Sequence, residues 1–462
     1  MVKSPLELKF SFNHTRLKLQ SSPISVFEKV YNEESFSFMY ESLEHTGRGR
    51  YSFLGGKPFI LFKSKDTAIE IERMGETQII KGNPLYILRK ILSKFDIYPA
   101  LKGFCGGAVG YISYDTIRFF EEIPDENTDE IGAPDTYFMF PSEILIFDHK
   151  KETVDIIVYN SDDKRLKDLE SIIKTAKDYN YNLCKEKSIQ YKSNFSKNEF
   201  CSIVKKAKEY IRAGDIFQVV PSQRISTAID KKPLNIYKAL RITNPSPYMY
   251  YLRLNDLFIL GSSPETLIKL NEDMVTSNPI AGTRPRGRTE KEDKILESEL
   301  LSDEKELAEH IMLLDLARND IGRVCEYGSV KVSKFLEIEK FSKVMHIISV
   351  VNGKLVTGMD AFDLIEATFP AGTVTGAPKI RAMEIIDELE PTRRGIYAGA
   401  IGYFGLNGNM DLCIAIRTII IKDKVAYIQG GAGIVADSVP EREYIETLNK
   451  MSALKKALET SQ

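Results

Sequence analysis

In 462 residues there is no tryptophan, cysteine occurs only five times, and no apolar run approaches the length of a membrane span. Each absence removes a class of protein. Cys105, Cys184, Cys201, Cys325 and Cys413 are dispersed and odd in number, and no pair has metal-ligand spacing, which argues against a disulfide framework. The segment IAIRTIII is interrupted by Arg417 and ends at Lys422, short of the ~18 residues of a spanning helix. The start, MVKSPLELKFSF, carries no hydrophobic signal segment, so a cytoplasmic location is expected. Nor is there an excess of one charge. Lys plus Arg is 63 and Asp plus Glu is 65, and a net charge of −2 gives no field for nucleic acid or an anionic membrane. No nucleophile elbow GxSxG, Walker GxxxxGK[ST], HExxH or Rossmann fingerprint stands out, so serine acyl transfer, ATP cleavage and dinucleotide chemistry lack support.

What is present is an ordinary globular composition, 43% hydrophobic and 28% charged. At ~150 residues per domain the length suggests about three domains, or one large interwoven pair. The chain divides into an N-terminal region (1–160), a charged stretch (161–195) and a second region (196–462). Short strands are expected at 50–54, 67–72, 107–114 and 144–147, with a surface loop over 121–135. Ser196 with Glu199 forms a capping box for a helix whose apolar line is Phe200, Ile203, Val204, Ala207, Tyr210 and Ile211, stopped by Gly214. Strands follow at 217–220 and 258–260, a loop at 281–293 and a helix at 304–318. Further strands are expected at 399–404, 412–421 and 424–429, and helices at 378–389 and from 439, where Ser438 and Glu441 read as a second capping box. The order mixes hairpins and helices without βαβ alternation, which favours α+β.

Several clusters could carry chemistry. Helical spacing puts Glu306, Glu309 and His310 on one face, and Glu443, Glu446 and Lys450 on one face of the final helix. Two such carboxylate pairs suit Mg²⁺, which prefers oxygen ligands; equally, glutamates at this spacing form solvated helix faces. In QGGAGIVADS, the turn of Gly430, Gly431 and Gly433 offers backbone N–H groups to an anion, although glycine turns between strand and helix are commonplace. TFPAGTVTGAPK is another glycine-rich turn, with Thr373 and Thr375 as hydrogen-bond donors. Arg417, inside an apolar segment, calls for a carboxylate acceptor, which a ligand or an internal salt bridge would supply; an outward-facing strand position is the alternative. The arginines of GTRPRGR fit an anion site or a solvated loop. His346 is a general-base candidate, against the commoner reading of a satisfied core histidine. The residues taken singly allow an Mg²⁺-assisted enzyme acting on a small carboxylate.

Taken together, IFQVVPSQR, NPSPYMYY, GSSPETL, PIAGTRPRGR, ELAEHIMLLDLARNDIGRV, VMHIIS, FPAGTVTGAPK, RRGIYAGAIGYF, IAIRT and QGGAGIVADSVPEREYIETLNK resemble the chorismate-utilising enzymes. The nearest likeness is to the large chain, component I, of anthranilate synthases. YESLEHTGRGRYSFLG and GGAVGYISYD extend it over nearly the whole chain. The resemblance implies an α+β fold in which two antiparallel β-sheets form a core sandwich flanked by helices. It implies Mg²⁺ on Glu309 and Glu446, with Glu306 and Glu443 nearby through water. Arg417, Tyr397 and the turn of Gly431, Ala432 and Gly433 match the groups that hold the enolpyruvyl carboxylate. Gly282, Thr283, Thr373 and Lys450 complete the pocket, Thr373 on its catalytic side. Glu265 matches the acid that protonates the departing C4 hydroxyl, a task requiring a raised pKa. Ammonia then adds at C2, and His346 matches the group associated with loss of pyruvate and aromatisation.

Two positions separate close relatives. Gln218 stands where water-using members place a lysine, and Ala281 where aminodeoxychorismate synthases commonly carry one; an alanine cannot act as an amine nucleophile. Both point to chorismate plus ammonia giving anthranilate plus pyruvate. The ammonia is expected from a separate glutamine amidotransferase subunit, component II, in a hetero-oligomer, because no glutaminase Cys-His-Glu set is present and Cys105 reads as structural. A feedback site for L-tryptophan maps to Glu41, Ser42, Pro247, Tyr248 and Met249, with Tyr40 replacing a leucine of the family motif; an ordinary strand contact is the alternative. A chain without tryptophan is compatible with an enzyme needed when that amino acid is scarce. The other readings are aminodeoxychorismate synthase and a non-catalytic chorismate- or tryptophan-binding protein.

Overall fold

The computed structural model describes residues 11–44, 47–95, 103–160, 163–178, 181–341 and 344–461. The first ten residues, His45 and Thr46 of the YESLEHTGRGR motif, and residues 161–162 and 179–180 of the charged stretch lie outside them.

Two antiparallel sheets meet at a pair of long strands, Gly47–Lys65 and Thr136–Asp148, whose pairing shifts register between Pro58 and Ile60. Proline has no N–H to give to the ladder, so an irregularity there costs little. On one side of the shift, Phe36–Glu44 and Thr153–Tyr159 extend the first sheet. On the other, Ala68–Arg73 and Gly107–Ile112 extend the second. The first sheet continues from Phe36–Glu44 through Tyr248–Leu254, Leu257–Ser263, Thr418–Lys422, Val425–Gly431 and Ser222–Ala228. The second runs from Gly107–Ile112 through Ala400–Gly405, Met410–Ile414, Thr266–Asn271, Met274–Ser277 and Val344–Lys354, which also pairs with Ile280–Pro285 and Lys331–Lys340. A separate two-strand ribbon joins Gln218–Val219 to Gly376–Ala377. Each sheet thus joins a block of strands from 1–160 to a block from 196–462, at the pairing of Phe36–Glu44 with Tyr248–Leu254 in the first and of Gly107–Ile112 with Ala400–Gly405 in the second. Within the 161–195 stretch, Asp163–Thr175 is a helix that buries Leu169 and Ile173.

Phe38, Tyr111, Met139, Leu252, Ile401 and Ile420, drawn from both sheets, share one buried cluster. A second cluster joins the first sheet to helices Pro23–Tyr31, Asp163–Thr175, Pro233–Thr243 and Pro440–Thr460; a third joins the second sheet to Pro84–Leu92, Glu304–Gly322 and Ala361–Thr368. Sheets covered on both faces have strands without apolar-polar alternation, and all six residues of Gly107–Ile112 are buried. This is the α+β sandwich flanked by helices that the resemblance implied.

Local signals mostly held. The Ser196–Glu199 capping box forms at the start of Lys197–Ala213, and Gly214 closes that helix at φ 86°. Three expectations are corrected. The second capping box does not form: Pro440 occupies the first turn, Val439 is the cap residue, and Ser438 Oγ accepts from Val435 N instead. The loop expected at 281–293 is largely ordered, as strand Ile280–Pro285 and the start of helix Glu290–Ser302. The single strand expected at 412–421 is two, Met410–Ile414 and Thr418–Lys422, one in each sheet. The chain crosses between sheets at 415–417, which a segment apolar on both sides of Arg417 conceals. Among the described residues no helix is long and apolar enough to cross a membrane.

Candidate active site

The chain passes from the first sheet to the second at two adjacent crossings, and each carries a candidate residue. Glu265 lies between Leu257–Ser263 and Thr266–Asn271, and Arg417 between Met410–Ile414 and Thr418–Lys422. Backbone hydrogen bonds lock the crossings together, Ile414 N to Glu265 O at 3.1 Å and Ser262 N to Arg417 O at 3.2 Å. Both residues lie outside regular strands, and Lys450 is near each: its ammonium acts on the Glu265 carboxyl and its carbonyl accepts from Arg417.

Glu265 is 8% exposed, and burial pushes its carboxyl up to about 7, against smaller downward pulls from the Thr373 hydroxyl and the Lys450 ammonium. Thr373 Oγ lies close enough to exert that pull, yet it is buried and makes no hydrogen bond of ordinary geometry. A carboxyl balanced near neutrality is suited to proton donation.

Arg417 sits at φ 51°, a left-handed conformation that costs an L-residue roughly 1 kcal/mol or more and is retained where the surrounding structure imposes it. Its Nη1 donates to Lys450 O at 2.6 Å, and among the described residues it has no carboxylate partner. The internal salt bridge that the sequence left open is therefore not formed, and burial depresses its pKa. Tyr397 is buried, with burial raising its hydroxyl to about 12. A Cβ on Gly431 would lie 2.9 Å from Tyr397 Oη, and one on Gly433 would lie 2.6 Å from Gln218 Nε2. At Gly431 the backbone oxygen of Pro221, 3.0 Å from the same point, adds to the crowding, whereas at Gly433 only the flexible end of Gln218 would have to give way. Ala432 N donates to Pro221 O, and Lys450 Nζ donates to Gly431 O at 3.0 Å while pairing with Glu446 at 2.8 Å.

His346 is opposite Thr283 in the pairing of Ile280–Pro285 with Val344–Lys354, at the irregularity where Gly282 adopts φ 67°. His346 Nδ1 lies 2.8 Å from Gly282 O and 3.1 Å from Thr283 Oγ. Because the carbonyl can only accept, the proton belongs on Nδ1, and Nε2 keeps its lone pair. Burial, with Arg417 and Lys450 as lesser causes, lowers the imidazole pKa, so the ring is held neutral. The influence of Arg417 and Lys450 on His346, and of Lys450 on Glu265, ties the two sides of the pocket together.

The acidic residues come as two pairs on two helices. Glu306 accepts from Arg284 Nη1 at 3.2 Å and Glu309 from Gln218 Nε2 at 2.9 Å. Burial, with repulsion from Glu309, raises Glu306; burial, with repulsion from Glu446, raises Glu443, which also feels Lys305 of the other helix. His310 does not join them. It is fully buried, bonds Ser349 Oγ through Nε2 at 2.7 Å, and burial pushes its pKa down to about 4, so it is a core residue. Among the described residues no three or more His, Cys, Asp or Glu side chains group closely enough to hold an ion by themselves.

The candidate regulatory residues lie together at neighbouring strands of the first sheet, beside the crossings: Tyr248 and Met249 are paired with Ser263 and Ser262, the residues that lead into the Glu265 crossing. Glu41, paired with Met249, is 4% exposed and accepts from Arg241 Nε and Nη2 at 2.7 and 2.9 Å and from Tyr237 Oη at 2.9 Å. Ser42 falls at the irregularity between Glu41 and Leu43, and Leu43 N bonds the carbonyl of Ser246, the residue before Pro247. Tyr248 Oη donates to Asp411 at 2.9 Å, and Met249 is buried.

Sequence reasoning missed the group that braces the pocket. Arg394 is fully buried, bonds both carboxylate oxygens of Glu390, and donates to Val374 O at 2.7 Å and Val220 O at 2.6 Å. Its guanidinium lies 5.7 Å from the Tyr397 ring centroid and 4.8 Å from that of Tyr114. Glu390 also accepts from Ser222 N and Oγ. One arginine thereby ties the Thr373 segment, the Gln218 ribbon and Tyr397 together. Its only sequence signal is a glutamate four residues earlier, which reads as a surface pair.

The sequence profile of the chorismate binding enzyme family matches residues 17–456. Anthranilate synthase component 1 of Acetivibrio thermocellus is 50% identical over 460 residues, 95% of this chain and 93% of that protein. The protein of the same name from Aquifex aeolicus is 48% identical, over 96% of this chain and 93% of that one. The crystal structure of anthranilate synthase component I from Streptococcus pneumoniae superposes with a TM-score of 0.80 at 42% identity, covering 88% of this chain and 92% of the other. With these likenesses over nearly its full length, the chain belongs to the chorismate-binding enzymes, on their anthranilate synthase component 1 branch.

Proposed function

We propose that this chain is the large subunit of an anthranilate synthase, converting chorismate and ammonia to anthranilate and pyruvate. The observation that carries the reading is the pairing, in one pocket, of a buried carboxyl near neutrality with a neutral imidazole of defined tautomer. That is what an elimination needing an acid at one carbon and a base at another requires.

Arg417, with no carboxylate of its own, receives the enolpyruvyl carboxylate of chorismate beside Tyr397 and the Gly431–Gly433 turn, where no side chain stands in the way. Glu265 gives its proton to the C4 hydroxyl, which leaves as water while ammonia bonds to C2. His346 Nε2 then takes the C2 proton; the C3–O bond breaks, the ring becomes aromatic, and the enolate of pyruvate departs and takes up a proton at its methylene carbon to give pyruvate. Gln218, bound to Glu309, offers no basic group to activate water as an alternative nucleophile.

Glu306, Glu309, Glu443 and Glu446 fit Mg²⁺. Their oxygens are hard donors, and burial, with mutual repulsion as a lesser cause, raises the pKa of one member of each pair; a cation would relieve that repulsion. Two pairs without a closed cluster suit an ion that keeps water and takes substrate oxygens. Bound there, Mg²⁺ would supply an electrostatic clamp for the ring carboxylate. Ammonia is read as coming from a component II glutaminase subunit, in the cytoplasm, with L-tryptophan as an inhibitor acting through the strands that carry Glu41 and Met249.

Fluorescence of purified chain with chorismate, Mg²⁺ and ammonium at alkaline pH tests the reading. Anthranilate emission that disappears with EDTA, with pyruvate formed in equal amount, is expected; titration with L-tryptophan in the same assay checks inhibition. Chorismate consumed without pyruvate would make the chain an aminodeoxychorismate synthase, and no consumption even with the glutaminase subunit would leave a binding protein. For His346→Met, chromatography is expected to show the amino-cyclohexadiene intermediate accumulating, because the acid step survives and the base step does not. Undiminished anthranilate yield would remove His346 from the mechanism.

A further inference from the structure

Behind Glu265, on the side of the second sheet, is a cavity of about 50 Å³ that no step above uses. Its polar wall consists of Glu265, Ser277, Asn278, Asp320, Thr368 and Thr373, and the rest is aliphatic, including Leu267, Leu313, Leu316 and Ile414. Asn278 Oδ1 is fully buried and has no hydrogen-bond partner, and Thr373 Oγ, also buried, has the Glu265 carboxyl near it and makes no hydrogen bond of ordinary geometry. Asn278 cannot find one in the next residue, since Pro279 has no N–H. At the far wall Lys379 Nζ is already committed to Asp320 Oδ2 at 2.7 Å and Thr368 O at 3.1 Å.

A buried carbonyl oxygen left unsatisfied costs about 1–3 kcal/mol, so orphans of this kind point to an occupant. The space exceeds the roughly 10–15 Å³ that one water needs and is far below that of a substituted ring. A cation is disfavoured on chemical grounds, because it would hold Glu265 ionised and disarm the acid. We infer that this cavity is a binding site for a neutral hydrogen-bond donor of one heavy atom, ammonia or water, held between Asn278, Thr373 and Glu265. The ammonia form rests on the function proposed above. If ammonia, the site stores the nucleophile beside the acid; if water, it links Glu265 to the Asp320–Lys379 pair and returns its proton.

The test is a high-resolution crystal structure of the unaltered protein, grown with and without ammonium, together with the kinetics of Asn278→Leu, which removes the acceptor and fills the space. A density peak within hydrogen-bond distance of both Asn278 Oδ1 and Thr373 Oγ is expected, and an empty cavity in both crystals overturns the inference. In the variant, a rise of about tenfold in KM for ammonia at unchanged KM for chorismate, the loss of one good hydrogen bond, identifies ammonia. A lower kcat with both KM values unchanged identifies water. No change in any of the three, or equal rises in both KM values, counts against the site. Should the unaltered protein fail to consume chorismate, the proposed function fails while the density peak still decides the cavity. The crystals also serve if the variant does not fold.

Discussion

Glu265→Gln is expected to lower kcat by about 10²–10⁴-fold, the usual worth of a positioned acid, while making the protein more stable at alkaline pH. Both follow from the same burial. The carboxyl titrates at about 7 in the folded chain against 4.5 unperturbed. Below pH 4.5 it is neutral in both states and costs nothing. As pH rises from 4.5 to 7 the unfolded chain ionises first and the folded state loses stability relative to it. Above 7 the loss is complete, at about 3 kcal/mol for a shift of about 2.5 units. Glutamine has no charge to bury, so the variant should unfold at higher urea than the parent at pH 8 and at the same urea at pH 4. In the parent, kcat at saturating ammonia should fall as pH rises through about 7, because the acid must carry its proton. Activity within threefold of the parent, or equal stability gains at both pH values, would contradict the assignment.

The second large effect belongs to a residue that touches no substrate. Arg394→Ala is expected to cost about 3–5 kcal/mol, since it strands the buried Glu390 carboxylate with only Ser222 as donor and leaves two backbone carbonyls, of Val374 and Val220, unpaired. Arg394→Met with Glu390→Leu removes both charges and should recover much of that loss, because two apolar side chains leave no charge to solvate. Urea midpoints of the two variants at pH 7 decide it. A single variant that loses less than about 1 kcal/mol would show the pair to be dispensable. This trade, stability lost at Glu265 and supplied at Arg394, is the expected pattern for a pocket built to hold a group in an unfavourable state.

How far the site could be read beforehand varies residue by residue. The helix Lys197–Ala213 was legible at both ends, because a capping box and a left-handed glycine are local events. Glu309 and Glu446 were legible as members of pairs because helical spacing alone puts neighbours on one face, but the same logic drew in His310, which the tertiary structure turns into the core against Ser349. Spacing states which residues share a face and is silent on what that face meets. Ser438 misled for a related reason: it has the right chemistry for a cap, but Pro440 sets the helix start one residue later. Asn278 and Arg394 had no usable signal, since an unsatisfied oxygen and a four-way brace exist only once distant segments pack.

By itself the sequence determined the class of the protein: the α+β mix of hairpins and helices, the absence of a nucleic-acid field, and, through ordered motifs from Ile216 to Lys450, membership of the chorismate-binding enzymes. Only the tertiary structure decided which of those motif residues have unusual properties. Glu265 and Arg417 are an ordinary glutamate and arginine until the chain carries each across from one sheet to the other at neighbouring crossings. There burial raises the carboxyl, the guanidinium has no carboxylate partner among the described residues, and Arg417 sits at a positive φ. The physical reason is that motif identity is a property of the chain, whereas desolvation and the presence or absence of a partner are properties of the space around it, set by residues that only the fold brings near.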